Sequence, residues 1–226
     1  MTKPKLYGAR VSPYYERVWL VLDVKGQREA VEESGVPGGM PQSAAYRQIT
    51  PIGKIPALQL LDGRVIPESD VICRFIERLY PTPPLFPEEA EAAVAVDLVA
   101  RIADLYVAPT LGTLFQAMRE NWPAGERLEA ATSALVEALA KLDHFFTITP
   151  PSDDDGWTYA DCTLLPLAFY FQLTANRFGF DPFAQAPRVK AWYEGIMRSP
   201  RAQASHQGMQ ASLAELMKRM QQNDGG

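Results

Sequence analysis

The chain has 226 residues, a net charge of −5 at neutral pH and 47% hydrophobic residues. That length can bury one large core or two modest ones, and no apolar run is long enough to cross a membrane. Basic residues are scattered along the sequence, which argues against a nucleic-acid-binding protein. Lys3 and Lys5 precede a short strand pattern rather than a long apolar region, so we expect a cytoplasmic protein without a signal peptide.

The cysteines and histidines predict neither a disulfide nor a metal site. Cys73 and Cys162 are far apart in sequence, and each lies in an apolar helical pattern. His144 and His206 share no ligand spacing with either cysteine. We therefore expect two buried thiols in a reducing compartment and no bound metal.

The first predicted elements are a strand over residues 5–8 and a helix that begins after Ser12. Ser12 and Pro13 pair an N-cap residue with a proline at the first helical position, which is typical of a helix start. One interpretation of Ser12 is a helix cap without any further role. The other is chemical: a thiol at this N-terminus would meet unpaired N–H groups and the positive end of the helix dipole, which favour thiolate. A serine hydroxyl that donates to the sulfur would add to this effect.

Residues 50–58 place Pro56 where a turn meets an apolar run. Proline cannot donate to a strand ladder, so it belongs at the first residue or at the edge of a strand. The bond before a proline is also the one that becomes cis at low cost. A cis bond here would turn the N–H and C=O of Ile55 outward, where they could pair with an extended peptide.

Glu68 and Ser69 then open a helical pattern whose apolar residues share one face: Val71, Ile72, Phe75, Ile76 and Leu79. A serine at a helix start, beside unpaired N–H groups, is a site for a carboxylate. Together with the peptide-pairing edge at Ile55, this arrangement predicts a site for a small acidic peptide. The alternative is a β-hairpin followed by a helix N-cap, which any α/β domain can contain.

The character of the sequence changes once, at the proline-rich stretch 80–87, after which the pattern is helical. We therefore divide the chain into a first domain over 1–80, a linker over 81–87 and a helical domain over 88–226. In the helical part, Thr158 and Asp161 have the spacing of a capping box with Asp in place of Glu. We expect a long first helix that includes residues 106–118, and further helices over 126–146, 188–197, 200–207 and 209–220.

The motifs at Ser12, Ile55-Pro56 and Glu68-Ser69 resemble those of the glutathione transferase family, and the resemblance covers nearly the whole chain. It implies an α/β thioredoxin-like N-terminal domain plus an all-α helical-bundle C-terminal domain, assembled as a homodimer. Glutathione would be the co-substrate. The Ile55 backbone before Pro56 would pair with its cysteinyl unit, and Glu68 with Ser69 would hold its γ-glutamyl end. Lys54 matches a position that is basic in some serine-type members and reaches a glutathione carboxylate.

Ser12 resembles the activating serine of serine-type members, which lies five residues before an arginine that Arg17 matches. Cysteine-type relatives have cysteine at this position and carry out thiol–disulfide exchange, so Ser12 argues against that chemistry here. Tyr7 is the alternative, because tyrosine-type members use a tyrosine at the end of the first strand. We favour Ser12, since Tyr7 is one residue too close to Arg17 for that pattern and no Gly-Arg pair follows it.

The resemblance also implies an electrophile pocket lined by the loop around Ser12 and by the first long helix of the second domain. We assign to it the apolar residues Tyr14, Tyr106, Pro109, Phe115 and Met118. Aromatic and methionine side chains suit a flat apolar substrate. The alternative for each of these residues is that it packs in the core. The segment 209–221 is either a lid over this pocket or a helix packed along the bundle.

The predicted function is therefore a glutathione transferase that holds glutathione as thiolate and directs it at an apolar electrophile. The reaction can be conjugation, isomerisation, ether cleavage or dehalogenation, and the sequence does not choose among them. The alternative is a non-catalytic glutathione transferase-like module that serves protein interaction. That class often lacks the activating residue or the acidic-Ser pair, and this chain has both.

Overall fold

A computed structural model describes residues 2–151 and 155–224 of the chain. Two compact units are present: one comprises the chain up to Leu85 together with the residues from Ala204 onward, and the other comprises Phe86–Gln203. The predicted division, with residues 88–226 as the helical domain, stays a prediction. In the structure, Ser205 and Ser212 contact the segment around Ser12.

The first unit contains a four-stranded sheet in the order β2-β1-β3-β4, in which β2 is parallel to β1 and the other neighbours are antiparallel. A 3₁₀ turn over Arg28–Ala30 precedes β2. The elements are β1 (Lys5–Tyr7), α1 (Pro13–Val24), β2 (Glu32–Ser34), α2 (Ala44–Arg47), β3 (Ala57–Gln59), β4 (Val65–Pro67) and α3 (Ser69–Leu79). This mixed sheet with helices confirms the predicted α/β thioredoxin-like domain.

The core of this unit lies between the central strands and the helices α1 and α3, which pack on each other. Apolar residues at helical spacing on both helices supply it, as the period of the sequence predicts. The side chains that are most completely buried include Leu6, Val18, Leu22, Leu58, Ile72 and Ile76.

The second unit is helical, which confirms the predicted all-α domain. Its helices are α4 (Ala90–Ile102), α5 (Ala108–Arg119), α6 (Glu126–His144), α7 (Tyr159–Phe178) and α8 (Pro187–Ile196). Helix α9 (Pro200–Asp224) begins there and continues into the first unit. The predicted break between residues 207 and 209 is wrong, because Gly208 lies inside the continuous α9. A Cβ at Gly208 would clash with the Arg10 guanidinium, so glycine is present here although it costs a helix about 1 kcal/mol.

The predicted single helix through residues 106–118 is also interrupted. A π-helical stretch, Ala103–Val107, separates α4 from α5, and the N–H of Ala108 donates to the carbonyl of Ala103. Pro109 explains the change, because it has no N–H to offer the carbonyl four residues earlier. Such π segments are frequent at functional sites, and this one contains Tyr106.

The capping box at the start of α7 is confirmed. The Thr158 Oγ1 accepts from the Asp161 N–H at 3.3 Å, and the Asp161 carboxylate accepts from the Thr158 N–H at 2.8 Å. The other carboxylate oxygen accepts from the indole N–H of Trp192 on α8 at 2.7 Å. One buried carboxylate therefore connects the start of α7 with α8.

Candidate active site

The sheet brings the three predicted site segments of the first unit to one edge. In its register, the ends of β1 and β4 lie beside the start of β3, because β3 runs antiparallel to both. Just beyond that edge are the loop that leads to Ser12, the Ile55-Pro56 pair and the Glu68-Ser69 pair. Helices α1 and α3 both begin here, so two sets of unpaired N–H groups and two positive dipole ends favour an anion.

Ser12 is the N-cap of α1, with an extended backbone at φ −81° and ψ 124°. Its Oγ accepts a hydrogen bond from the Tyr15 N–H at 3.4 Å, and its own N–H donates to the Ala9 carbonyl at 2.9 Å. The side chain is half-buried. A hydroxyl that accepts from the backbone still has its proton to donate, so capping and donation to a bound sulfur are compatible.

Tyr7, the alternative activating residue, donates its hydroxyl proton to Gln59 Oε1 at 3.0 Å. Its side chain is buried, and its ring lies edge-on to that of Tyr46 with centroids 6.0 Å apart. Because this hydroxyl is already used within the core, Tyr7 is less suited than Ser12 to donate to a bound thiol.

Tyr15 holds the loop before α1 in place. Its ring is buried and its hydroxyl donates to Glu33 Oε2 at 3.0 Å. Burial, with the neighbouring Glu33 carboxylate, raises the pKa of Tyr15 above that of a free phenol. Gly8 is required opposite the ring, since a Cβ there would stand 2.4 Å from a ring carbon and its φ is +147°.

The Ile55–Pro56 peptide bond is cis. The Ile55 side chain packs on the small cluster of Tyr7, Tyr46 and Ala57. The Lys54 side chain is exposed, and its carbonyl accepts from the Tyr46 hydroxyl at 3.0 Å. This bond ties the turn before β3 to helix α2.

Ser69 is the first residue of α3 and is only 7% exposed. Its Oγ accepts from Arg17 Nη1 at 3.4 Å, and Arg17 is 1% exposed. The Arg17 guanidinium also lies 5.6 Å from the centre of the Tyr14 ring. The buried guanidinium of Arg17 on α1 therefore lies within hydrogen-bonding distance of Ser69, at the predicted carboxylate site on α3.

Glu68 precedes α3 with an exposed side chain and an unusual backbone, at φ 69° and ψ 114°. Such a conformation costs a non-glycine residue about 1–3 kcal/mol and is concentrated at functional sites. No sequence signal predicts it. Arg17 has a sequence signal, because a charged residue interrupts the apolar face of α1.

The predicted electrophile residues have mixed environments. Tyr14 in the first unit is 37% exposed, and Tyr106 in the second unit is 58% exposed. Pro109 is exposed as well, whereas Met118 is half-buried. Phe115 is half-buried against the Tyr170 ring, with centroids 4.7 Å apart.

Cys73 and Cys162 are both buried. Within residues 2–151 and 155–224, no three His, Cys, Asp or Glu side chains form a group that could hold a metal ion. Over the same part of the chain, every helix is too short or too polar to cross a membrane.

Comparison with known proteins matches two family profiles: residues 6–84 match "Glutathione S-transferase, N-terminal domain" and residues 125–195 match "Glutathione S-transferase, C-terminal domain". Glutathione S-transferase L3 of Arabidopsis thaliana is 25% identical over 86% of this chain and 78% of its own. The crystal structure of a maleylacetoacetate isomerase from Anaeromyxobacter dehalogenans is similar with a TM-score of 0.65 and 26% identity, over 90% of this chain and 94% of its own. The crystal structure of a glutathione transferase family member from Pseudomonas fluorescens with bound glutathione is similar with a TM-score of 0.70 and 22% identity. The similarity covers 90% of this chain and 98% of the other. The two profiles, in their order along one chain, show that this protein belongs to the glutathione S-transferase family.

Proposed function

We propose that the protein is a glutathione transferase that binds glutathione, stabilises its thiolate with Ser12 and directs it at an apolar electrophile. The observation that carries the proposal is the single sheet edge that presents Ser12 and Ser69 at two helix N-termini. Glutathione has a thiol and two carboxylates, which are the groups that such an edge favours. In this proposal Ser12 is the catalytic residue.

In this proposal, the remaining site residues bind different parts of the tripeptide. The Ile55 main chain before Pro56 would pair with the cysteinyl unit, and Glu68 with Ser69 would hold the γ-glutamyl end. Lys54 would reach a carboxylate from the exposed turn. The buried Arg17 guanidinium supports this assignment, because it adds a positive charge behind Ser69.

The required change in thiol acidity is modest. A thiol pKa of about 8.5 must fall to about 6.5 for thiolate to dominate at neutral pH, and this corresponds to roughly 2.7 kcal/mol. One hydrogen bond to a charged group contributes about 1.5–3 kcal/mol, and a helix N-terminus adds about 0.3–1 kcal/mol. Ser12 at the start of α1 can therefore account for the shift.

The first test is a titration of glutathione into the purified protein, with the thiolate ultraviolet band followed as the pH is lowered. We expect a saturable band that persists well below pH 8.5, the pKa of a free thiol. Saturable binding without a thiolate band would contradict the catalytic part of the proposal. Absence of binding would refute it and favour the non-catalytic interaction module.

The second test replaces Ser12 by Ala. We expect kcat to fall about 10- to 100-fold and the pKa of the bound thiol to rise, while glutathione still binds, because one hydrogen bond to the thiolate is lost. Thr158→Ala is a matched control that removes an N-cap hydroxyl elsewhere, and it should lower stability without changing the thiol pKa. Unchanged turnover in the Ser12 variant would move the role to Tyr7 or another group.

The electrophile-binding residues in this proposal are Tyr14, Tyr106, Pro109, Phe115 and Met118. Their aromatic and thioether side chains favour a flat apolar substrate. A panel of conjugation electrophiles, halides, ethers and cis-alkenes would distinguish conjugation, dehalogenation, ether cleavage and isomerisation. The similarity to a maleylacetoacetate isomerase supports the inclusion of isomerisation substrates.

A further inference from the structure

Helix α9 contacts the segment around Ser12 through one of its faces. Ser205 Oγ donates to Glu16 Oε1 at 2.7 Å, and Ser212 Oγ accepts from the Val11 N–H at 2.9 Å. Gly208 lies between them on the helix, against the Arg10 guanidinium. Positions 205, 208 and 212 share one helical face, and the neighbouring Met209 is completely buried.

The closeness of α9 to Arg10 explains the glycine inside the helix. A Cβ at Gly208 would stand 2.1 Å from Arg10 Nη1 and 2.2 Å from Cζ. Any larger residue would therefore displace the guanidinium from its present position. A contact of this kind has no local sequence signal, which is why the pattern alone predicts a helix break.

Arg10 and Glu16 form an ion pair beneath this face. Arg10 Nε donates to Glu16 Oε2 at 2.8 Å and Nη2 donates to Oε1 at 2.6 Å, while the Glu16 side chain is 0% exposed. Removal from water raises the pKa of Glu16, and the hydrogen bonds from Arg10 and Ser205 act in the opposite direction. The pair joins the loop before Ser12 to the first turn of α1, and Ser205 supplies a third polar contact.

The Ser212 contact is made to the residue next to Ser12 in sequence. Val11 precedes Ser12 directly, so a bond to its N–H restrains the peptide unit that leads into the N-cap. The orientation of the Ser12 side chain depends on this backbone, because the N-cap residue departs from helical dihedral angles. Small displacements of a reacting group are costly for catalysis.

We propose that Ser212 is a positioning residue, which acts through the Val11 N–H to hold the Ser12 loop in the geometry that activates glutathione. This inference rests on the proposed function, in which Ser12 is the catalytic residue. Helix α9 thereby becomes part of the active-site framework, although its side chains need not touch the substrate. Ser205 and Arg10 hold the same segment through the buried Glu16.

The test compares Ser212→Ala with Ser212→Thr, which keeps a hydroxyl, and with Gln210→Ala, which changes an exposed residue of the same helix. Measurements are made in two states: hydrogen exchange of the Val11 amide in the protein without glutathione, and the thiol pKa, kcat and KM with glutathione. We expect Ser212→Ala to speed Val11 exchange and to lower kcat about 5-fold with little change in KM for glutathione. The thiol pKa should rise in Ser212→Ala. Ser212→Thr should restore Val11 exchange, kcat and thiol pKa, and Gln210→Ala should resemble wild type.

The two proposals fail in different ways. A wild-type protein that forms no glutathione thiolate would refute the proposed function, whatever the variants do. A wild type that forms thiolate, together with an alanine variant that has unaltered Val11 exchange or unaltered kcat and thiol pKa, would refute the positioning role alone. An equal loss in the threonine variant would also overturn it, because the hydroxyl would not be the determinant.

Discussion

Glu68 is one of two described non-glycine residues with positive φ, and it lies beside the proposed carboxylate site. Its conformation costs about 1–3 kcal/mol in a non-glycine residue, whereas glycine adopts positive φ without a steric penalty. The exposed Glu68 side chain makes no capping hydrogen bond to α3. No capping hydrogen bond from Glu68 therefore offsets the cost of its backbone conformation. This is consistent with a role of Glu68 in ligand binding.

For Glu68→Gly we expect thermal stability to rise while glutathione affinity falls. Relief of backbone strain favours the folded state, and the greater freedom of glycine in the unfolded chain offsets about 0.5–1 kcal/mol of that gain. The measurement is the melting temperature together with the Kd for glutathione. Asn121→Gly is a suitable control, because it relieves positive φ outside the candidate site and should leave glutathione affinity unchanged. A Glu68 variant with full affinity would remove Glu68 from the site.

At the scale of the secondary-structure elements, the start of α7 depends on one buried carboxylate. Asp161 accepts hydrogen bonds from Thr158 and Trp192 and is completely buried. Burial raises the pKa of Asp161 from its ordinary 3.8 to about 6, and the hydrogen bonds from Thr158 and Trp192 only partly oppose this. The folded state therefore binds a proton more tightly than the unfolded state does.

This pKa makes the stability of the protein pH-dependent in a defined direction. The stabilisation from the protonated form is fully present below pH 3.8 and is lost as the pH rises through about 6. The change corresponds to roughly 3 kcal/mol. We expect the unfolding free energy of wild type, relative to Asp161→Asn, to fall across this window, measured by urea unfolding at several pH values. Parallel curves for the two proteins would contradict the assignment.

At the scale of the whole molecule, the chain folds into two compact units, and the first is completed by the C-terminal residues from Ala204 onward. Contacts between α9 and the segment 10–16 connect the two ends of the sequence. Truncation before Ser212 would therefore affect the loop that carries Ser12, although Ser212 and Val11 are 201 positions apart in sequence.

We also expect a homodimer in solution, as the family resemblance implies. Support comes from the first unit, where the exposed side chains of Leu61 and Leu79 line one apolar groove. Light scattering should give about twice the chain mass of 25.1 kDa. Leu79→Glu should lower this mass toward that of one chain, whereas Met40→Glu, at an exposed apolar residue outside that groove, should not. A wild-type mass of one chain would contradict the expectation.

Elements with local signals can be predicted from the amino-acid sequence. The N-cap at Ser12, the capping box at Thr158 and the apolar faces of α1 and α3 depend on residues within a few positions of one another, so their spacing predicts them. The family and its two-domain fold followed from such motifs in their order. Local spacing predicts a helix break at Gly208, which is wrong. The residue that requires a glycine there is Arg10, which is far away in sequence.

Contacts between residues far apart in sequence depend on the tertiary structure. It brought Arg17 to Ser69, assigned a positive φ to Glu68, and placed Ser212 on the Val11 N–H. These features arise from the packing of elements far apart in sequence, and side-chain periodicity contains no information about such partners. The sequence therefore predicts the chemistry of the candidate site, whereas the framework that positions it is visible only in the folded chain.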